Sequence, residues 1–139
     1  MLKKCVAALA LLFPLVSHAA YNVEMNCSAS VRDFFGPLVQ QSIILSKPTQ
    51  IIPDNSVNFF SLAPGQQMTV YGIPVVSVFG FADDPLLFIR KTNNMGYVYG
   101  VLVREKVADV RAQLDTFGAT KARAALTKNG LTAIACEGE

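Results

Sequence analysis

Two adjacent carboxylates, Asp83 and Asp84, precede a proline and an apolar run that ends in Arg90 and Lys91. Paired acids can serve as general acid and base, can flank a glycosidic bond, or can offer hard oxygen ligands to a cation. Each use makes a spatial demand. Glycoside cleavage needs two carboxyl groups roughly 5 to 10 Å apart across the substrate, and a calcium loop spaces its acids in a D-x-D-x-D-G pattern that is absent here. Neighbouring residues diverge in extended structure, so Asp83 and Asp84 are weak metal candidates and read first as turn residues beside Pro85. An enzyme built on Asp83, Asp84 and Glu105, a small carboxylate-dependent or metal-assisted hydrolase, is the alternative that this cluster keeps open. The chain has no tryptophan to supply a sugar-stacking platform. "GIPVVSVFG" holds two glycines but lacks phosphate-loop spacing and its lysine.

The other reactive types are scarce. Met1-Leu2-Lys3-Lys4, the apolar run Cys5 to Val16 and the small-residue box Ser17-His18-Ala19-Ala20 have the order of a secretory signal peptide, with cleavage expected after Ala19. The run is too short for a spanning helix, which takes roughly 20 apolar residues, so no stable membrane anchor is expected after cleavage. Losing residues 1–19 removes Lys3 and Lys4, so the twelve Lys and Arg become ten against ten Asp and Glu. The mature chain is then neutral, and nothing in its charge argues for nucleic acid. The single histidine, His18, leaves with the same segment. Serine–histidine and cysteine–histidine hydrolysis are thereby excluded, as are histidine zinc sites. No catalytic residue, cofactor or metal is assigned.

Cys27 and Cys136 remain, far apart and outside any C-x-x-C spacing. In an oxidising compartment they are expected to pair, joining a first strand over 21–27 to a last strand over 131–136.

The elements that must hold these residues read as one α+β domain over 20–139, an antiparallel meander sheet packed by a C-terminal helical layer. Ser30-Val31-Arg32-Asp33 resembles a capping box opening a short helix that stops by Gly36-Pro37. Leu38 to Leu45 reads as a weakly patterned strand and "SVNFFSL" as another before the Pro64-Gly65 turn. Segments "QMTVYG", "PVVSVFGFA", "LLFIRK" and "YVYGVLVR" supply the meander, the last two joined across Thr92-Asn93-Asn94-Met95-Gly96. "EKVADVRAQLDTFG" is a clear helix, with Val107, Val110, Leu114 and Phe117 on one face and Gly118 as its C-terminal cap. Ala119 to Leu126 reads as a second short helix, before the Asn129-Gly130 turn and the strand "LTAIAC".

Both faces of the central strands avoid charge. Val75, Ser77, Phe79 and Phe81 alternate with Val76, Val78, Gly80 and Ala82, and Tyr97, Tyr99, Val101 and Val103 with Val98, Gly100, Leu102 and Arg104. A half-exposed antiparallel sheet shows a polar outer face, and one helical layer covers one face only. Either residues 28–66 fold over the second face as a sandwich or partly closed barrel, or a face carrying Phe79, Phe81, Tyr97 and Tyr99 stays open to a protein partner or an apolar ligand. The second reading makes the chain an exported, non-enzymatic binding or accessory protein of the bacterial envelope, periplasmic or secreted. A third reading, a structural subunit of a surface assembly, predicts homo-oligomers.

Overall fold

The computed structural model describes residues 19–93 and 96–139. The expected signal peptide therefore lies almost wholly outside the described residues, as do positions 94 and 95 of the expected hairpin connection. Among the described residues two helices and eight strands form a mixed α+β fold.

The chain opens with β1 (Tyr21–Val23) and α1 (Val31–Gln40). Ser30 caps α1, its Oγ accepting from the Asp33 N–H at 3.0 Å. The helix runs through Gly36 and Pro37 instead of stopping there. Its buried residues Val31, Phe34, Phe35 and Leu38 recur at helical spacing past the proline, and burying two aromatic rings and a leucine outweighs the roughly 3 kcal/mol that an interior proline costs. The expected strand over Leu38 to Leu45 is accordingly the last turn of α1 and a loop, of which only Ile44 forms a bridge, to Leu62.

Next come β2 (Gln50–Ile51), β3 (Asn58–Ser61), β4 (Met68–Val70) and β5 (Ile73–Phe81). They are followed by β6 (Tyr97–Val103), α2 (Val107–Thr116), β7 (Arg123–Leu126) and β8 (Thr132–Gly138). The main path of the sheet is β1-β4-β5-β6-β8-β7, with β3 also pairing with β5 and β2 with β3. The sheet is mixed, not purely antiparallel, because β1 runs parallel to β4. Ala119 to Leu126 is not helical: its second half is β7, where pairing with β8 through the Lys128-Asn129-Gly130 turn overrides the helix preference of an alanine-rich segment. "LLFIRK" is not a strand either, and β5 pairs directly with β6.

Both helices lie on one side of the sheet. Phe34 of α1 meets Tyr99 and Phe35 meets Phe60, while Val110 and Leu114 of α2 share the same core with Val75, Val103 and Ile134. The layer is therefore built from both ends of the chain, not from the C-terminal half alone. Cys27 and Cys136 are disulfide-bonded, with Cα atoms 5.3 Å apart and a sequence separation of 109. Cys136 sits in β8, but Cys27 lies in the loop beyond β1 with a positive φ of 61°, so the bond ties a loop to a strand rather than strand to strand.

Candidate functional site

The register of the sheet sorts the central residues onto two faces. Val75 pairs with Val103 and Ser77 with Leu102, leaving Val76 as an extra residue. This bulge reverses the alternation within β5. Val75, Val78 and Gly80 consequently face the helices, while Ser77 and Phe79 face away.

Two rows cross the face opposite the helices. One runs Phe59, Phe79, Gly100, Ala135 and Arg123, the other Ser61, Ser77, Leu102, Ala133 and Ala125. Phe79 and Leu102 are each 6 % exposed yet stand apart from the main core. Phe59 packs on Phe79 with ring centroids 5.8 Å apart. Gly100 makes this possible: a β-carbon there would press on the Ile134 carbonyl oxygen and come within 2.7 Å of the Phe79 ring, so the ring lies across β6 where no side chain stands.

Beside this floor is a groove of about 490 Å³. Ser61, Ser77, Phe59 and Leu102 form its base; Thr49, Gln50 and Ile52 bound one side and Thr127 to Asn129 with Leu131 the other. The Thr49 hydroxyl donates to the Phe59 carbonyl oxygen at 3.3 Å and keeps that bank in place. Small serines at the centre and long side chains at the margins make the surface concave. No helix covers it.

The four aromatic residues marked by the sequence do not share a face. Gly80, not Phe79 or Phe81, pairs with Tyr99, and Phe81 pairs with Val98. Phe79 lies on the outer face. Phe81, 2 % exposed, has Phe88 beside it at 6.1 Å and the Arg90 guanidinium over its ring at 4.9 Å. Tyr99 is under α1, its hydroxyl donating to the Ala29 carbonyl oxygen at 2.9 Å. Burial, with the neighbouring Tyr97 phenol second, raises the Tyr99 hydroxyl above the ordinary tyrosine value. Tyr97 stacks on Tyr99 and is the one of the four with substantial exposure, 38 %.

Asp83 and Asp84 have structural partners. Asp84 Oδ1 accepts from the Leu86 N–H at 3.2 Å, its Oδ2 meets Arg32 at 2.8 Å, and its carbonyl oxygen accepts from Leu87 and Phe88. Asp83 is exposed and pairs with Arg90 at 3.1 Å. Glu105 follows β6, at the end of the β5–β6 ladder where Val75 pairs with Val103, whereas the aspartates follow Phe81 at the other end. Six residues of strand separate those ends, about 20 Å, so the three acids are not brought together. Among the described residues no group of three His, Cys, Asp or Glu is placed to hold a metal, and no buried side-chain polar atom lacks a hydrogen-bond partner.

Phe59 and Leu102 were not singled out by sequence. The period-two signal in "SVNFFSL" is masked because Asn58, the polar residue expected outside, is fully buried. It is turned inward to hold the chain after β5: its Nδ2 donates to the Ser56 and Ile89 carbonyl oxygens at 2.6 and 2.9 Å, and its Oδ1 accepts from the Ile89 N–H at 3.0 Å.

No protein-family model matches the chain, and neither the curated proteins nor the solved structures contain a match to it.

Proposed function

We propose that the chain is an exported, non-enzymatic binding protein that holds a protein partner on the sheet face opposite its helices. The observation that carries this reading is the uncovered groove over Phe59, Ser77 and Leu102, on a sheet whose two helices both pack on the other side. A concave floor of Phe59 and Leu102 with two small serines, inside a mostly polar margin of Thr49, Gln50, Thr127, Lys128 and Asn129 with Ile52 and Leu131, suits a protein interface, where apolar anchors insert at the centre and the margin stays wet. A small apolar ligand is less well served, since such ligands bury most of their surface in enclosed cavities and this groove opens along the sheet. The site is thus Phe59 and Leu102 with the two serines; Phe79 is buried on the same face and packs against the Phe59 ring without lining the groove, and Phe81, Tyr97 and Tyr99 lie outside it. Export rests on the order of residues 1–19 and on the Cys27–Cys136 bond, which persists in oxidising compartments such as the periplasm or the extracellular space.

The test is to fill the groove without disturbing the fold. Ser77 is half-buried and points outward, so Ser77→Arg sets a long side chain over the floor while leaving the core intact. Unfolding stability is expected to change by no more than about 1 kcal/mol, while partner co-isolation from the envelope is lost. Equal co-isolation by Ser77→Arg and the native chain refutes the assignment.

A further inference from the structure

A second surface, on the helix side of the sheet, has the requirements for taking up an extended peptide. Among the described residues β7 pairs with β8 and with no other strand. The hairpin decides which of its backbone groups are spare. The Thr127 N–H donates to the Leu131 carbonyl oxygen at 2.8 Å and the Gly130 N–H to the Thr127 carbonyl oxygen at 3.2 Å, so Thr127 faces β8. By the alternation of an antiparallel ladder Ala125 and Arg123 also face β8, whereas the N–H and C=O groups of Ala124 and Leu126 point away from it.

Helix α2 stands along that free edge. Between α2 and β7 lies a groove of about 650 Å³, with Val107, Leu114 and Leu126 as apolar lining and Arg111, Asp115 and Arg123 as charged lining. Leu126 is 71 % exposed. The Arg111 guanidinium donates to the outward-facing Ala124 carbonyl oxygen at 3.2 Å. It meets no carboxylate: the ion pairs of the described residues join Arg32 to Asp84, Arg90 to Asp83 and Arg123 to Glu137. A cation outside any ion pair thus marks the middle of a groove that Asp115 also lines, and along one bank the Ala124 N–H and the N–H and C=O of Leu126 point outward, the Ala124 carbonyl oxygen being held by Arg111. The other edges are protected by brevity, β2 having two residues bracketed by Pro48 and Pro53 and β1 three.

We propose that the α2–β7 groove receives an extended, acidic segment of another protein, which adds to the sheet as a strand along β7. An acidic side chain would draw Arg111 off the Ala124 carbonyl oxygen, main-chain hydrogen bonds to Ala124 and Leu126 would then hold the segment, and alternate apolar side chains would enter between Val107, Leu114 and Leu126. A second copy of this chain fits less well, because pairing β7 with itself brings the Arg111 of both copies to one seam, where like charges oppose, and supplies no carboxylate outside the Arg123–Glu137 pair on the far face. This surface is separate from the outer-face groove and does not depend on it.

The probe is a blocked seven-residue peptide alternating valine and glutamate, titrated into the full mature chain by calorimetry and by amide chemical shifts. Binding is expected, with the largest shifts at Ala124 and Leu126. Methylating alternate peptide nitrogens should weaken it at least about tenfold, since a side-chain-only mode would not register the change. Leu126→Pro removes an outward N–H and leaves the β8 ladder whole, and is expected to weaken binding by a similar factor while the unfolding midpoint is kept. Ser77→Arg should leave peptide binding unchanged. Absence of binding, equal binding of the methylated peptide, equal binding of a lysine-for-glutamate peptide, or a concentration-dependent dimer abolished by Leu126→Pro each overturn the proposal. Should Leu126→Pro not fold, the methylated peptide decides.

Discussion

Removing the Asn58 side chain should release the segment between β5 and β6. That segment, which contains both aspartates, is fastened to the sheet by two buried side chains rather than by a ladder of its own. Asn58 makes three hydrogen bonds, two of them with Ile89. Ser56 Oγ accepts from the Lys91 and Thr92 N–H groups at 2.7 and 2.9 Å. Asn58→Ala deletes three bonds worth about 1 kcal/mol each net, and partial rehydration of Ile89, which is 47 % exposed, keeps the penalty for unsatisfied groups small, so a loss of about 3 kcal/mol is expected. With a urea slope of roughly 2 kcal/mol/M for a chain of this size, the unfolding midpoint falls by about 1.5 M. Phe88 packs against Phe35, Phe60 and Phe81 and is carried by the same segment, so amide exchange should accelerate from Leu86 to Thr92 before the rest of the sheet. Ser56→Ala should act on the same residues, and the double variant should cost less than the two single losses together, because both side chains hold one loop. A loss below about 1 kcal/mol with unchanged exchange over 86–92 would refute this account of the loop.

Three further outcomes follow from other parts of the molecule. Breaking the Cys27–Cys136 bond by Cys27→Ser with Cys136→Ser opens a loop of 109 residues and should lower stability by up to about 4.7 kcal/mol; a urea midpoint that does not move when the native protein is fully reduced would show that the bond contributes nothing. Gly100→Ala should destabilise by about 3 kcal/mol, because the added carbon meets backbone and the Phe79 ring, whereas Gly36→Ala, with open space around it, should stabilise α1 by about 0.5 to 1 kcal/mol; like effects at the two glycines, read by thermal unfolding, would contradict the packing described. Burial raises the Tyr99 hydroxyl above the ordinary tyrosine value of about 10, so the folded chain keeps a proton that the unfolded chain gives up first: this contribution is whole below about pH 10 and declines as pH rises from there through the folded value. Tyrosinate absorbance should show one late-titrating group that Tyr99→Phe removes, and simultaneous titration of all tyrosines would count against it.

The elements that sequence reveals well are those whose local pattern and tertiary role agree. Val107, Val110 and Leu114 mark α2 because the same face is buried, and Gly118 follows it with a φ of +71°. The Cys27–Cys136 pairing was legible because the two cysteines lie outside any C-x-x-C spacing. Agreement fails where tertiary contacts overrule local preference. Pro37 stays inside α1 for the sake of Leu38, and the alanines of β7 follow β8 rather than their own helix propensity. The candidate site was half legible. That both faces of β5 and β6 avoid charge was visible, but assigning residues to faces requires the register, and one bulge at Val76 reverses it. Phe59 stayed hidden behind a buried asparagine whose reason, the Ile89 backbone, lies 31 residues away.

The central claim is that the outer sheet face, and not the tyrosine side, holds a partner. A photoreactive residue placed at Ser77 tests it most directly, compared in the native envelope with the same residue at Tyr97. The account predicts one discrete protein adduct from position 77, abolished when Ser61→Trp fills the groove, and none from position 97. An adduct from position 97 alone, or one from position 77 that survives Ser61→Trp, would contradict it.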